Sequence, residues 1–138
     1  MIIWVILALV LAVIMFAGVM YLEKKGKSLS AFEKSKIREM WNNVELLMSD
    51  EREASWVKAV FEADKILDYV LIAKRVPGNN LGERLKNGKN HFSNVQSAWD
   101  AHKLRNRLAH EVDMQLANYE ATRAIQLFKD CLRQLGAL

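Results

Sequence analysis

The sequence predicts an all-α protein: an N-terminal single transmembrane helix, followed by an antiparallel four-helix bundle with one short extra helix. Three observations predict it. Residues 2–22 carry no charge, apolar residues recur at helical spacing in four later stretches, and the β-branched alternation typical of strands is absent. The short connections between the four stretches favour an antiparallel bundle. We expect three parts: a membrane anchor over 1–22, a basic juxtamembrane linker over 23–30 and the helical bundle over 31–138.

The uncharged segment has the length of a membrane span. As a helix, its 21 residues extend about 31 Å, close to the roughly 30 Å hydrocarbon thickness of a bilayer. Trp4 and Tyr21 lie near its two ends, where aromatic rings favour the headgroup region. The competing interpretation is a cleaved signal peptide, which requires a positive n-region and a small-x-small cleavage site. Neither precedes or ends this run, so we expect a retained anchor.

Flanking charge predicts the orientation of the anchor. Lys24, Lys25 and Lys27 follow the apolar run directly, and no basic side chain precedes it. The positive-inside rule then places the bundle in the cytoplasm, as part of a single-pass protein of the cell membrane. The lysines either contact anionic lipid or serve only as the stop-transfer flank. The single cysteine, Cys131, forbids an internal disulfide and agrees with a reducing compartment.

Capping patterns place the first two helices of the bundle. Ser30 with Glu33 forms a capping box, and the helix it opens ends at residues 49–50. The second helix is expected from about residue 51 to residue 74. Asp64 falls on its apolar face and requires a partner there.

Turn and cap residues predict the later boundaries. Pro77, the only proline, marks a turn over 75–80. We expect next a short helix that Asn80 and Glu83 open and that ends near Gly88. A long helix follows, opened by Ser93 and Gln96 and ending at His110. After a connection over 111–117, the last helix is capped by Asn118 and ended by Gly136.

Charge is unevenly distributed along the chain. Residues 74–107 carry a net charge of +6, whereas residues 39–73 carry −5. A local basic block is the electrostatic pattern of a protein that binds a polyanion. The candidate nucleic-acid contacts are Lys103, Arg107, Arg84, Lys86 and Lys89. The alternative is that this basic block pairs with the acidic helix across the bundle, and the sequence leaves both open.

The end of the third long helix carries the residues of greatest chemical interest. Arg105 and Asn106 are followed by His110, with His102 one turn before Asn106. The two histidines and the asparagine recur at i, i+4 and i+8 and share one helix face, with Arg105 at its edge. A guanidinium beside a group that titrates near neutral pH suits metal-free phosphodiester cleavage.

The sequence gives little support for other kinds of site. His91, His102 and His110 lack the HExxH or cysteine pattern of a metal site, so we predict no metal. Cys131 has no neighbouring histidine, and no glycine-rich loop follows a strand. We predict no cofactor.

The string Arg105-Asn106-x-Leu-x-His110, near the end of the third long helix of a small bundle, resembles the HEPN superfamily. The hallmark of that superfamily is an arginine, usually followed by a polar residue, with a histidine after four to six intervening residues. The wider string over 99–111 is similar to uncharacterised small bacterial proteins with this domain. The resemblance covers roughly residues 51–138 and leaves the anchor outside it.

The resemblance implies an activity and a partner. Active HEPN proteins are metal-independent endoribonucleases that work as homodimers, so RNA and a second copy are expected partners. By this resemblance His110 handles the proton of the 2′-hydroxyl or leaving group, Arg105 stabilises the transition state and Asn106 orients the phosphate or the histidine. The product would be a 2′,3′-cyclic phosphate. The sequence departs from toxin members at Val112, where those commonly have a modifiable tyrosine.

A purely structural interpretation accounts for the same residues. Arg105 could pair with Asp64, while His110 could cap its own helix. Asn106 could hydrogen-bond the loop at 111–113. Three hypotheses therefore stand: a membrane-tethered endoribonuclease, a non-catalytic membrane-tethered module that binds RNA, nucleotide or protein, and a structural membrane protein.

Overall fold

The computed structural model describes residues 1–24 and 27–138 and contains six α-helices there, with no strand. This confirms the predicted fold class. The helices, in chain order, are α1 (Ile2–Lys24), α2 (Ala31–Met48), α3 (Glu53–Ala73), α4 (Leu81–Asn87), α5 (Val95–His110) and α6 (Asn118–Gln134). A single 3₁₀ turn over Lys89–His91 follows α4.

Helix α1 is the apolar helix. Its segment Ile2–Tyr21 has a mean hydropathy of 3.1 and is long and apolar enough to span a bilayer. Helices α1 and α2 are separate, and Lys25 and Gly26 between them lie outside the described residues. Residues 27–30 are not helical, and Ser30 caps α2.

Helices α2, α3, α5 and α6 form the antiparallel bundle. The backbone N–H of Ser93, before α5, donates to Gln134 Oε1 at the end of α6, at 2.8 Å. At the opposite end, the N–H of Leu116, before α6, donates to Glu53 in the first turn of α3. We call these the near end, where α2 and α5 begin, and the far end, where α3 and α6 begin. Helix α3 contacts all the other bundle helices and is the centre of the fold.

The core is built from residues of the bundle alone. Among the residues whose burial the structure describes, every buried apolar residue lies between Leu29 and Ala137. The largest fully buried side chains are Phe128, Ile37, Ile66, Leu67, Leu71, Leu85 and Leu132. Asp64 is buried and lies on the core-facing side of α3, as the sequence predicts. Residues 27–138 therefore have a hydrophobic core of their own.

The capping box of α2 is confirmed. The backbone N–H of Glu33 donates to Ser30 Oγ at 3.1 Å, and the Ser30 N–H donates to Glu33 Oε2 at 2.7 Å. These hydrogen bonds hold the pKa of the Glu33 carboxyl below its usual value. Asn80 likewise caps α4, although the Glu83 carboxylate accepts from the N–H of Asn79 and not from that of Asn80.

Three predicted helix starts were wrong by one or two residues. Helix α3 begins at Glu53, because Asp50 accepts from the N–H of Arg52 and ties the preceding residues into a turn. Helix α5 is capped by Asn94, because Ser93 is engaged by α6. Helix α6 already includes Asn118, and the predicted cap is replaced by the N–H of Ala117 donating to Glu120 Oε2 at 3.1 Å.

Candidate functional site: a cleft between α3, α4 and α5

An open cleft of about 530 Å³ lies where α5 crosses α3 beside the start of α4. Its size falls within the range of small-molecule sites. Charged and amide side chains predominate in its lining, which comprises Asp64, Lys65, Asp68, Asn79, Asn80, Leu81, Gly82, His102, Arg105 and Asn106. The cleft thus contains two of the three predicted catalytic residues.

Asp64 and His102 form the buried centre of this cleft. His102 Nδ1 and Asp64 Oδ1 are 2.7 Å apart, and the two side chains are only 13% and 8% exposed. A buried carboxylate requires a donor or a cation, and the imidazole of His102 supplies the short contact. The Trp99 and His102 rings pack in a T-shaped arrangement, with the ring centres 6.0 Å apart.

The hydrogen bonds of Asn106 fix the proton on His102. Arg105 Nη1 donates to Asn106 Oδ1 at 3.2 Å, so the amide nitrogen of Asn106 faces His102 Nε2, also at 3.2 Å. An amide nitrogen only donates, and Nε2 must therefore accept. We assign the neutral tautomer of His102 with its proton on Nδ1, donated to Asp64. Asn106 thus bonds Arg105 and His102, and not the loop at 111–113 that the structural interpretation proposed.

Arg105 lies between an aromatic ring and a carboxylate. Its guanidinium carbon is 4.9 Å from the centre of the Phe61 ring, and its Nε is 3.4 Å from Asp64 Oδ2. Within the described residues this buried Nε makes no hydrogen bond, so its interaction with Asp64 is ionic only. The side chain is 30% exposed and forms part of the cleft lining. Arg105 is held in place without being sealed off.

His110 does not line the cleft with Arg105 and Asn106. It is the last residue of α5 and is exposed. It shares a helix face with Asn106, but it lies one turn, about 6 Å, further along the axis toward the far end and is not among the residues that line the cleft. In one copy of the chain, the predicted catalytic residues therefore do not converge on one cavity.

Three of the five candidate nucleic-acid contacts are exposed without a carboxylate partner: within the described part of the chain, none of Lys86, Lys89 and Lys103 has a carboxylate within 4.0 Å. Arg84 instead pairs with Asp68 of α3 at 2.8 Å. Arg107 bonds Glu111 at 3.1 Å, and this hydrogen bond raises the pKa of Arg107.

The alternative in which the basic block pairs with the acidic helix is thus realised in part. Arg84 and Arg105 both lie against carboxylates of α3. The exposed lysines carry the remaining positive charge.

Sequence reasoning missed half of the polar cleft. His102 was predicted only to share a face with Asn106, and Arg105 alone was expected as the partner of Asp64. The amides of Asn79 and Asn80 were assigned to a turn and a cap. The turn that carries them contains two residues with positive φ, Arg75 at 61° and Gly78 at 152°. The spacing of residues along the sequence does not predict that this turn lies beside α5.

No metal cluster is present among the residues of the described ranges: no three His, Cys, Asp or Glu side chains group together there. No family model, no curated protein and no solved structure matches this chain. The resemblance to the HEPN superfamily stays a prediction from the motif and the order of the helices.

Proposed function

We propose that this chain is a membrane-tethered, RNA-binding helical module that takes one nucleotide of single-stranded RNA in the cleft at Arg105. The observation that carries the proposal is the cleft itself, where Arg105, His102 and three amides line one open cavity while His110 lies outside it. This is the arrangement of a binding site and lacks the convergence that cleavage within one copy requires.

The chemistry of the lining suits a nucleotide. Arg105 offers its exposed guanidinium edge to a phosphate, while Asn79, Asn80 and Asn106 offer donors and acceptors to a base edge. Proteins that read single-stranded RNA splay its bases out and hydrogen-bond their edges in this way. The negative charge of Asp64 is balanced by the positive charge of Arg105, and the neutral His102 supplies its hydrogen bond.

In this proposal α1 spans the cell membrane once and the bundle faces the cytoplasm. The lysines after α1 support that sidedness by the positive-inside rule. The exposed Lys86 lies one turn after Gly82, on the cleft side of α4, and extends the positive surface along which an RNA backbone runs.

The test is fluorescence anisotropy of a labelled single-stranded RNA of about 12 nucleotides, titrated with the full chain in detergent and EDTA. Arg105→Ala is expected to weaken binding about tenfold, since a hydrogen bond to a charged group is worth roughly 1.5–3 kcal/mol. Arg133→Ala is the matched control: Arg133 is also an arginine 3.4 Å from an aspartate, but it lies on α6 away from the cleft. Equal losses in the two variants, or none in Arg105→Ala, would refute the assignment of the cleft.

One observation favours a second candidate, a metal-independent endoribonuclease that is completed by a second copy. His110 is exposed and available to a partner, and Arg105 reaches the solvent on the same helix. The test is to analyse the RNA from the same binding mixtures for cleavage products with 2′,3′-cyclic phosphate ends. Cleavage by the parent that is lost in both Arg105→Ala and His110→Ala would establish the enzyme. RNA that binds at the cleft and stays intact would contradict the enzyme and support the binding module.

A further inference from the structure

The near end of the bundle begins directly after the apolar helix. Lys74 Nζ, at the end of α3, donates to the backbone carbonyl of Lys27 at 3.3 Å. Lys27 is only three residues after Lys24, the last residue of α1. Three residues of extended chain span at most about 11 Å. If α1 occupies a bilayer, this tether holds the near end within that distance of the bilayer surface.

Exposed apolar side chains are present at the near end. Phe32, in the first turn of α2, is 78% exposed, and Ile72, in the last turn of α3, is 49% exposed. Lys36 Nζ lies 5.0 Å from the centre of the Tyr69 ring, which fixes the register of the two helices. Phe32 is one turn from Lys36, and Ile72 is one turn from Tyr69, both toward the near end. The two apolar side chains therefore belong to neighbouring turns.

The same end is basic. Within the described ranges, none of Lys34, Lys36, Lys74 and Arg75 has a carboxylate within 4.0 Å. Glu33 does not neutralise them, since it is bonded to Lys27 and the cap of α2. Burial and then the charge of Lys34 lower the pKa of Lys74, as crowded cations do when no anion is bound between them.

We infer that the near end is a docking surface for anionic lipid headgroups, with Phe32 and Ile72 entering the interface while the surrounding lysines and Arg75 contact lipid phosphates. The pairing of exposed apolar side chains with unpaired cations is the pattern of an interfacial membrane-binding surface. The tether selects the bilayer as the occupant, because it keeps this surface at the membrane. The inference rests on α1 spanning a bilayer and does not depend on RNA binding.

The experiment places an environment-sensitive fluorophore at the docking surface of the full chain. Ile72→Cys and Leu46→Cys each provide one label site, and the buried Cys131, whose pKa is raised to about 11 by burial, stays unlabelled. Leu46 is the matched control, since it is an apolar residue 69% exposed near the far end of α2. Both proteins are reconstituted in vesicles of neutral lipid, with or without about 30% anionic lipid, that carry a headgroup nitroxide quencher.

Docking predicts a blue-shifted emission at position 72 and quenching about threefold stronger than at position 46, seen with anionic lipid and reduced by high salt. The double change Lys34→Glu with Lys36→Glu is expected to lower quenching at position 72 to the control level. Glutamates are tolerated in the first turns of a helix, so α2 should persist. Equal emission and quenching at both positions in anionic vesicles would overturn the inference.

Insertion of α1 is measured separately in the same samples. Flotation of the chain with vesicles after an alkaline carbonate wash reports whether α1 is embedded. A chain that floats but shows no difference between positions 72 and 46 contradicts docking alone. A chain that does not float contradicts the membrane anchor and, with it, the docking surface.

Discussion

Removing the charge of Asp64 is expected to destabilise the bundle by about 1–2 kcal/mol. At 3.4 Å from Arg105, a unit charge is worth roughly 5 kcal/mol at an effective dielectric constant of 20. Most of this is offset, because Asp64→Asn also removes the desolvation penalty of a carboxylate that is only 8% exposed, and Arg105 is partly solvated. Asp64→Ala also removes the acceptor for His102 and should cost about 3 kcal/mol.

Asp130 provides an unusually close control. Its carboxylate, like that of Asp64, has an arginine at 3.4 Å and one shorter contact, from Gln126 at 2.8 Å, but its side chain is 47% exposed. Asp130→Asn should change stability by less than about 0.5 kcal/mol, because exposed ion pairs are screened by water. The two sites differ in burial and in the origin of their partners, which lie on α5 for Asp64 and on the same helix for Asp130.

The assay for both substitutions is urea unfolding of residues 27–138, which contain the whole core, followed by helical circular dichroism. A double-mutant cycle with Arg105→Met measures the coupling between Asp64 and Arg105. If Asp64→Asn is no more destabilising than Asp130→Asn, or the coupling is zero, the assignment of a buried ionic centre in the cleft is wrong.

Two further predictions concern protons. Nitrogen NMR of His102 above pH 8 should show the proton on Nδ1, and a proton on Nε2 would contradict the orientation of Asn106 deduced from Arg105. Burial raises the pKa of the Cys131 thiol from 9.0 to about 11, so the folded state keeps a proton that the unfolded state loses first. Between pH 9 and about 11 the chain should therefore lose about 2 kcal/mol of stability relative to Cys131→Ala, as measured by urea unfolding at each pH, and parallel pH profiles would refute this.

Local patterns predicted the helices well because caps act over three or four residues. Ser30 and Glu33 satisfy one another, and no distant residue competes for them. Ser93 has the same capping chemistry as Asn94, but Gln134 engages it from 41 residues away. A local pattern contains no information about such a partner, so the cap was assigned one residue early.

The cleft was predicted less completely for the same reason. Helical periodicity correctly put His102 and Asn106 on one face and Asp64 on the buried face of α3. It did not predict whether His102 or Arg105 lies closer to Asp64, since that depends on the axial position of α5 relative to α3. Periodicity also grouped His110 with them, because it reports direction around the axis and ignores distance along it.

The short connection between α1 and the near end also limits how far the far end of the bundle stands above the bilayer. With the near end at the bilayer, α3 rises by up to about 31 Å over its 21 residues, which is roughly four Debye lengths at physiological ionic strength. The surface potential of anionic lipid has decayed at that height, so a polyanion that the membrane repels at its surface would meet no such barrier at the far end. Upright docking would thus keep one end of the bundle in the lipid's electric field and the other outside it.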